Sequence, residues 1–410
     1  MSGPQPVGLA LPIDGQLPDQ AGIDQGKRSF HAYVHIPFCR VRCGYCDFNT
    51  YTSNELRGEK QSDFAKRLIA EIALSETVLA ASSVLKRPMK SVFFGGGTPT
   101  MLPATDLVQI LSALVATHGL IANAEVTTEA NPDNVTVDYL RELKAGGFTR
   151  ISLGMQSAVP SVLATLERTH NPENVASAVA AAKLVGLQTS VDLIYGAPGE
   201  TIDQWRASLA AAIELETDHI SAYSLIVEDG TKLARQIKSG ALIEADQDEL
   251  ADKYELADDM LQVAGFDWYE VSNWSRSEQT RSAHNLAYWQ GQDWWGYGPG
   301  AHSHVGGVRW WNLKHPATYA QKLDLQQSPA AGHEVLDDQT RLVERVLLEI
   351  RIRDGLEIST VKLANSLAAE PISGFIANGL VEPTEALKGK IVLTRNGRLL
   401  ADSMVRDLLA

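Results

Sequence analysis

His35-Ile-Pro-Phe-Cys-Arg-Val-Arg-Cys-Gly-Tyr-Cys-Asp-Phe48 carries all three cysteines of a 410-residue chain. The spacing of Cys39, Cys43 and Cys46 lets one short loop aim three thiolates at a single object, and no further cysteine exists to form a disulfide with them. Clusters of this kind in a reduced cell are metal or redox sites rather than staples. Structural zinc takes four tight protein ligands, and no paired Cys or His stands at zinc-finger spacing downstream. Cubane iron–sulfur clusters are held by thiolates, usually four. Three cysteines would leave one iron without a protein ligand, a place for a small molecule to bind and react.

Composition sets the frame. A chain of this length exceeds the usual single domain, so two or more units are expected. Hydrophobic residues make up 44% and charged residues 21%, as in ordinary soluble globular proteins. No run of about 18 apolar residues exists to span a membrane. The net charge of −14 argues against a general affinity for nucleic acid. Residues 1–30 have little apolar periodicity and lack the marks of a signal or transit peptide. They read as a flexible leader on a cytoplasmic protein.

Short apolar runs alternate with longer helical patterns. Tyr33–Ile36, Lys90–Phe94, Glu125–Ala130, Arg150–Gln156, Thr189–Ile194 and His219–Ile226 read as strands. Ser62–Ala81, Ala104–His118, Val175–Val185 and Thr201–Leu215 read as helices between them. This alternation predicts an α/β fold with right-handed crossovers and a parallel sheet. Polar residues gather at the C-terminal ends of the strands, where parallel α/β barrels place their chemistry. Gly95-Gly-Gly-Thr-Pro-Thr100 follows one strand directly, and its bare glycines let backbone approach a ligand closely.

The Cys-x3-Cys-x2-Cys loop with its aromatic surroundings resembles the radical S-adenosylmethionine (SAM) superfamily. The resemblance implies a partial (β/α)6 barrel and a [4Fe-4S] cluster on Cys39, Cys43 and Cys46. It also implies SAM chelated to the open iron and cleaved to a 5′-deoxyadenosyl radical when the cluster is reduced. By the same resemblance Tyr33, Gly96, Glu129, Gln156, Arg168 and Asp192 match SAM-contacting positions. Carboxylates suit the ammonium and ribose hydroxyls of SAM, and an arginine suits its carboxylate. Gly97 and Thr98 extend the glycine loop toward a ligand. Tyr45 either packs on adenine or serves the core.

Within the superfamily, Tyr33-Val-His-Ile-Pro-Phe-Cys39, Phe94-Gly-Gly-Gly-Thr-Pro-Thr100, Ser152-Leu-Gly-Met-Gln156 and Asp192-Leu-Ile-Tyr-Gly-Ala-Pro-Gly199 resemble the anaerobic coproporphyrinogen III oxidase-like group. The likeness runs from about residue 31 to the C-terminus. Two features separate its branches. The oxidases carry a fourth cysteine two positions beyond the third, and here that position is Phe48. A phenylalanine neither ligates iron nor donates a thiol hydrogen, which opposes porphyrinogen decarboxylation in porphyrin biosynthesis. Ala283-His-Asn-Leu-Ala-Tyr-Trp-Gln290 contains His-Asn-x-x-Tyr-Trp, the signature of a heme-chaperone branch.

That branch implies heme as cargo, with His284 the candidate iron ligand, since imidazole ligates iron and flat rings pack on a macrocycle. It further implies delivery to heme-accepting proteins, transient contact with membrane hemoproteins, and a flavodoxin-type or other low-potential electron donor. Two alternatives stay open: the oxidative decarboxylase, and a radical SAM enzyme with another substrate, such as a heme methyltransferase. Tyr288 and Trp289 read as packing residues, and His302 and His304 receive no assignment.

Four segments are expected: a leader (1–30), the radical SAM core (31–270), an aromatic and His-rich connecting segment (271–336), and a C-terminal domain (337–410). In the last, Thr340–Ile350 has helical periodicity, and Lys388–Gly397 reads as part of a β-hairpin closing on Asn396-Gly397 before a final helix, Arg398–Leu409. Helices followed by a small hairpin predict a mostly helical, winged-helix-like unit. It is not markedly basic, and the resemblance implies a lid or partner surface rather than a DNA-binding one.

Overall fold

The computed structural model describes residues 7–53 and 55–410. Six parallel strands form its centre in sequence order: β1 (Phe30–Ile36), β2 (Met89–Gly96), β3 (Leu120–Ala130), β4 (Arg150–Gln156), β5 (Gln188–Tyr195) and β6 (His219–Ser224). Each pairs in parallel with the next. The six predicted strands are these six. Residues on their helix-covered face are apolar, Ile151, Leu153, Val191, Leu193 and Ile220 among them, and polar residues alternate with these on the other face.

The sheet is open and extends beyond the six strands at both edges. Outside β6 lies β8 (Asn273–Ser275), antiparallel to it, and then β7 (Asp267–Glu270), antiparallel to β8. Outside β1 lies β9 (Asp293–Tyr297), parallel to it. An antiparallel run follows, made of β10 (His302–Val305), β11 (Val308–Asn312) and β12 (Ala330–Val335). The stretch expected as a connecting segment, 271–336, therefore supplies five strands of the central sheet. Trp274, Trp294, Trp295, Trp310 and Trp311 are strand residues; Trp295 and Trp310 meet edge to face, centroids 4.8 Å apart, and both are buried.

Helices cover the sheet because their apolar faces recur at helical spacing. Phe64–Ala81 buries Phe64, Leu68, Ile72 and Leu79. Ile202–Glu214 starts on a capping box, Thr201 with Gln204. The short helix Val137–Ala145, capped by Thr136, has no counterpart among the sequence expectations. The leader reading is corrected for its described part. Leu9 pairs antiparallel with His333 beside β12, and Leu17 and Ala21 are buried in the main core. Residues 1–6 lie outside the described residues.

The C-terminal part has its own core of Val346, Ile350, Leu356, Val361, Ile372, Val381, Ile391 and Leu408, among others. It is mostly helical, as expected, but the hairpin reading fails. Lys390–Ile391 pairs with distant Leu356–Glu357, and Asn396-Gly397 lies inside a short helix, Arg395–Leu399, capped by Thr394. Gly397 is there for space: a Cβ would stand 2.0 Å from the Leu380 carbonyl oxygen.

One buried carboxyl ties the first helix to the β9–β11 flank. Glu71 accepts from the Gly298 N–H (2.7 Å), Asn312 Nδ2 (2.7 Å) and the Tyr319 hydroxyl. Burial nevertheless pushes its pKa up to about 7, against the pull of these donors. A carboxyl raised in the folded state contributes most below the unfolded pKa and loses that contribution as pH rises through the folded one. Relative to Glu71→Gln, the wild-type protein should therefore lose about 1–3 kcal/mol between pH 4.5 and pH 7.5. Thermal midpoints of the two proteins across that range measure it, and parallel profiles would contradict it.

Candidate functional site

The C-terminal ends of β1–β6 open into one cavity of about 1110 Å³. Strand alternation builds its floor. Glu129 and Thr127 of β3, Arg150, Ser152 and Gly154 of β4, Ser190 and Asp192 of β5, and His219, Ser221 and Tyr223 of β6 line it at two-residue intervals. Ile151, Leu153, Val191, Leu193 and Ile220 alternate with them in the hydrophobic core. Sequence reading singled out only Glu129, Gln156 and Asp192 from this floor. The period-two polar pattern would have found the others.

All three cysteines line this cavity and none is in a disulfide. Their loop is pinned at both ends. The Cys39 N–H donates to the Tyr51 carbonyl (2.9 Å) and the Tyr51 N–H to the Pro37 carbonyl (2.7 Å). Asn49 Nδ2 donates to the carbonyls of Pro299 (2.9 Å) and Lys314 (2.8 Å). The glycine run crosses directly against it: the Gly97 N–H donates to the Ile36 carbonyl (2.8 Å) and the Thr98 N–H to the Phe38 carbonyl (2.8 Å). A Cβ on Gly97 would meet the Phe38 oxygen at 2.6 Å and Cys39 Sγ at 3.0 Å. Gly96 has φ +108°, and a Cβ there would stand 2.5 Å from the His35 ring. The Thr98 hydroxyl lies 3.9 Å from Cys39 Sγ.

Burial pushes the Cys39 thiol up to about 11 and raises that of Cys46. Among the described residues no three His, Cys, Asp or Glu side chains are arranged to hold a single metal ion. Three thiols sharing one wall suit a cluster that brings its own irons and sulfides, and ligation would drive their protons off.

Around the loop stand the other expected residues. Arg168 Nη1 is 3.6 Å from Cys43 Sγ and its Nη2 donates to the Gly154 carbonyl (3.1 Å). Its buried Nε has no partner, an unused donor of the sort a bound anion takes up. Glu129 accepts from the Gly96 N–H (3.2 Å), and burial, then the Asp192 charge, push it up to about 8. Asp192, also raised by burial, accepts from Ser152 Oγ at 2.9 and 3.0 Å. Gln156 ends β4 with φ +63°, a conformation that costs a non-glycine residue roughly 1–3 kcal/mol and is typical of functional sites. The Tyr33 hydroxyl is 3.0 Å from His35 Nδ1. Tyr45 lines the cavity and also packs against the small cluster of Val162, Leu166, Ile194 and Leu225. The cavity thus gathers every expected SAM-site residue.

His284 reaches the same cavity, with both ring nitrogens already in hydrogen bonds. It lies in the helix Ala283–Trp289, whose first N–H groups, of Ala283 and His284, donate to the Glu125 carboxylate (2.9 and 3.2 Å). Its ring is buried, stacks on Phe93 at 5.1 Å and 19°, and is held at both nitrogens. Nδ1 is 2.9 Å from Ser91 Oγ and Nε2 is 3.0 Å from the Tyr288 hydroxyl. Burial keeps it neutral.

Residues 33–212 match the sequence model of the radical SAM superfamily. The heme chaperone HemW of Mycobacterium tuberculosis is 46% identical over 93% of this chain and 95% of its own length. That of Bacillus subtilis is 28% identical over 91% and 97%. In fold, the chain is similar to the radical SAM coproporphyrinogen III oxidase HemN of Escherichia coli. The TM-score is 0.78 with 24% identity, over 95% of this chain and 92% of that one.

Gly97→Ala should displace the cysteine loop, because its Cβ contacts are backbone oxygen and a thiol rather than a flexible side-chain end. Iron and sulfide per chain after anaerobic reconstitution should fall by half or more while the melting curve changes little. Full cluster loading would show that this close approach is not what holds the loop.

Proposed function

The chain belongs to the HemW family of the radical SAM superfamily, and on that premise we propose that it is a cytoplasmic heme chaperone. In this reading it binds heme, one [4Fe-4S] cluster and SAM, and delivers heme to acceptor proteins. The observation that carries the reading is the 46% identity, along nearly the whole chain, to a protein of that name. The geometry fits the cofactors. Cys39, Cys43 and Cys46 would hold the cluster, which supplies an electron-transfer centre with one iron open to SAM. A flavodoxin-type or other low-potential donor would reduce it.

The protein's own side chains would do the rest. Arg168 Nε is open to a carboxylate, and Glu129 and Asp192 suit an ammonium and ribose hydroxyls. Small-molecule pockets commonly measure about 300–1,000 Å³. A cavity of about 1110 Å³ leaves room for a second ligand beside SAM. Among the described residues no helix is long and apolar enough to cross a membrane; contact with membrane hemoproteins is proposed as transient. Phe48 stands 58% exposed at the cavity mouth, with no thiol there to serve the decarboxylase alternative.

Two measurements test this reading. Cluster-reconstituted protein titrated anaerobically with hemin should saturate near one heme per chain and should leave coproporphyrinogen III unchanged in the presence of SAM and reductant. Vinyl-bearing product would overturn the chaperone reading in favour of the oxidase. For the SAM site, Glu129→Gln should weaken SAM binding on the order of tenfold, the loss of one charge-assisted hydrogen bond. Below pH 8 the wild-type carboxyl is protonated, so binding an ammonium there must release that proton. SAM affinity should rise several-fold from pH 6 to pH 7.5 in the wild type and stay flat in the variant. Equal profiles would remove Glu129 from the site.

A further inference from the structure

A heme iron takes an axial ligand that has a lone pair to give. Four histidines line the cavity: His35, His219, His284 and His302. Three are committed at both ring nitrogens. His35 lies against the Tyr33 hydroxyl (3.0 Å) and the Asn49 carbonyl (2.9 Å). His219 lies against Ser190 Oγ (2.8 Å) and the Tyr269 hydroxyl (2.8 Å), and His284 against Ser91 and Tyr288. All three are buried. His302 differs on every count. Its side chain is exposed, and among the described residues no hydrogen bond ends on its ring.

We propose that His302 is the residue that ligates the iron of heme, at the mouth of the cavity. The assignment rests on the heme reading above. Its backbone is fixed for the task, because His302 begins β10 and its carbonyl accepts the Trp294 indole N–H (3.0 Å). Its ring lies over Trp311 at 5.9 Å and 30°. The groups acting on it are Lys314, Glu334 and Arg309; the surrounding cavity wall, which takes some water from a ring that still reaches solvent, and then the Lys314 charge hold its pKa below the ordinary value.

The same mouth carries surface a macrocycle can cover. Val41, Phe48 and Ile226 line the cavity with 45%, 58% and 68% of their surface exposed. Isolated exposed apolar residues are ordinary, but these three share the lining of one cavity, where a macrocycle would cover them. Lys314 and Arg40 line it too, cations that suit the two propionates of heme. His284, stacked on Phe93 and joined through Tyr288 to Trp294 (ring centroids 4.6 Å apart), is then the inner end of an aromatic wall that positions the ring.

The test uses the full chain with its cluster reconstituted anaerobically. Hemin binding is followed by the Soret band and by electron paramagnetic resonance in wild type, His302→Ala and His284→Phe. The wild type should show a nitrogen-ligated heme. His302→Ala should lose that signature, bind at least tenfold more weakly, and regain the signature when imidazole is added. His284→Phe should keep the signature even if affinity falls. His302 is exposed, so its variant should melt with the wild type. An unchanged spectrum in His302→Ala, with wild-type binding intact, would overturn the assignment and leave the heme reading standing. No saturable binding by the wild type would overturn both.

Discussion

The passage of one backbone against another at the ends of β1 and β2 is what the rest of the site depends on. Gly97 and Thr98 donate to the carbonyls of Ile36 and Phe38, and there is no room between the segments for even a methyl group. That contact sets the height of Cys39 above the sheet, and Tyr51 and Asn49 set the far end of the loop. Glycine is required at Gly96 for two separate reasons, a positive φ and the His35 ring. Backbone geometry thus places the three thiols on one wall of the cavity.

The floor below them is built on a different principle. A fully covered parallel sheet would ordinarily be apolar on both faces. Here the strands stay apolar toward the helices and turn polar toward the cavity, and the charges are kept affordable by hydrogen bonds and by protonation. The Asp192 charge raises the cost of ionising Glu129, and Asp192 is itself raised by burial and held by the Ser152 hydroxyl. A ligand bearing a cation at one end and a carboxylate at the other would relieve the carboxylates and fill the open Arg168 donor together. On the proposed reading such a zwitterion would sit at the thiol end, leaving the exposed Val41, Phe48 and Ile226 for a second ligand of unlike chemistry.

Much of this was legible in the sequence. The six central strands announced themselves as apolar runs before glycine or polar clusters, and the cysteine and glycine loops by composition alone. What escaped has physical causes. In 271–336, most of the tryptophans that looked like a ligand-rich linker are strand residues, and the pairing of β9 with β1 that builds them into the sheet is non-local. Asn396-Gly397 carries a turn signal, but Thr394 caps it into a helix and the Leu380 backbone demands the glycine. The leader lacks periodicity because it is held by one bridge and two buried side chains. His284 lies in a recognisable signature, yet only side-chain contacts reveal that both its nitrogens are in hydrogen bonds while, among the described residues, none ends on the His302 ring.

The central claim is that this chain carries heme and hands it on. The most direct measurement is anaerobic transfer from the heme-loaded, cluster-bearing protein to a heme-free b-type cytochrome, followed by the shift of the Soret band. The account expects heme to appear on the cytochrome faster than from free hemin at the same concentration, with the chain recovered intact and heme-free. Heme that stays on the chain, with or without SAM and reductant, would contradict it.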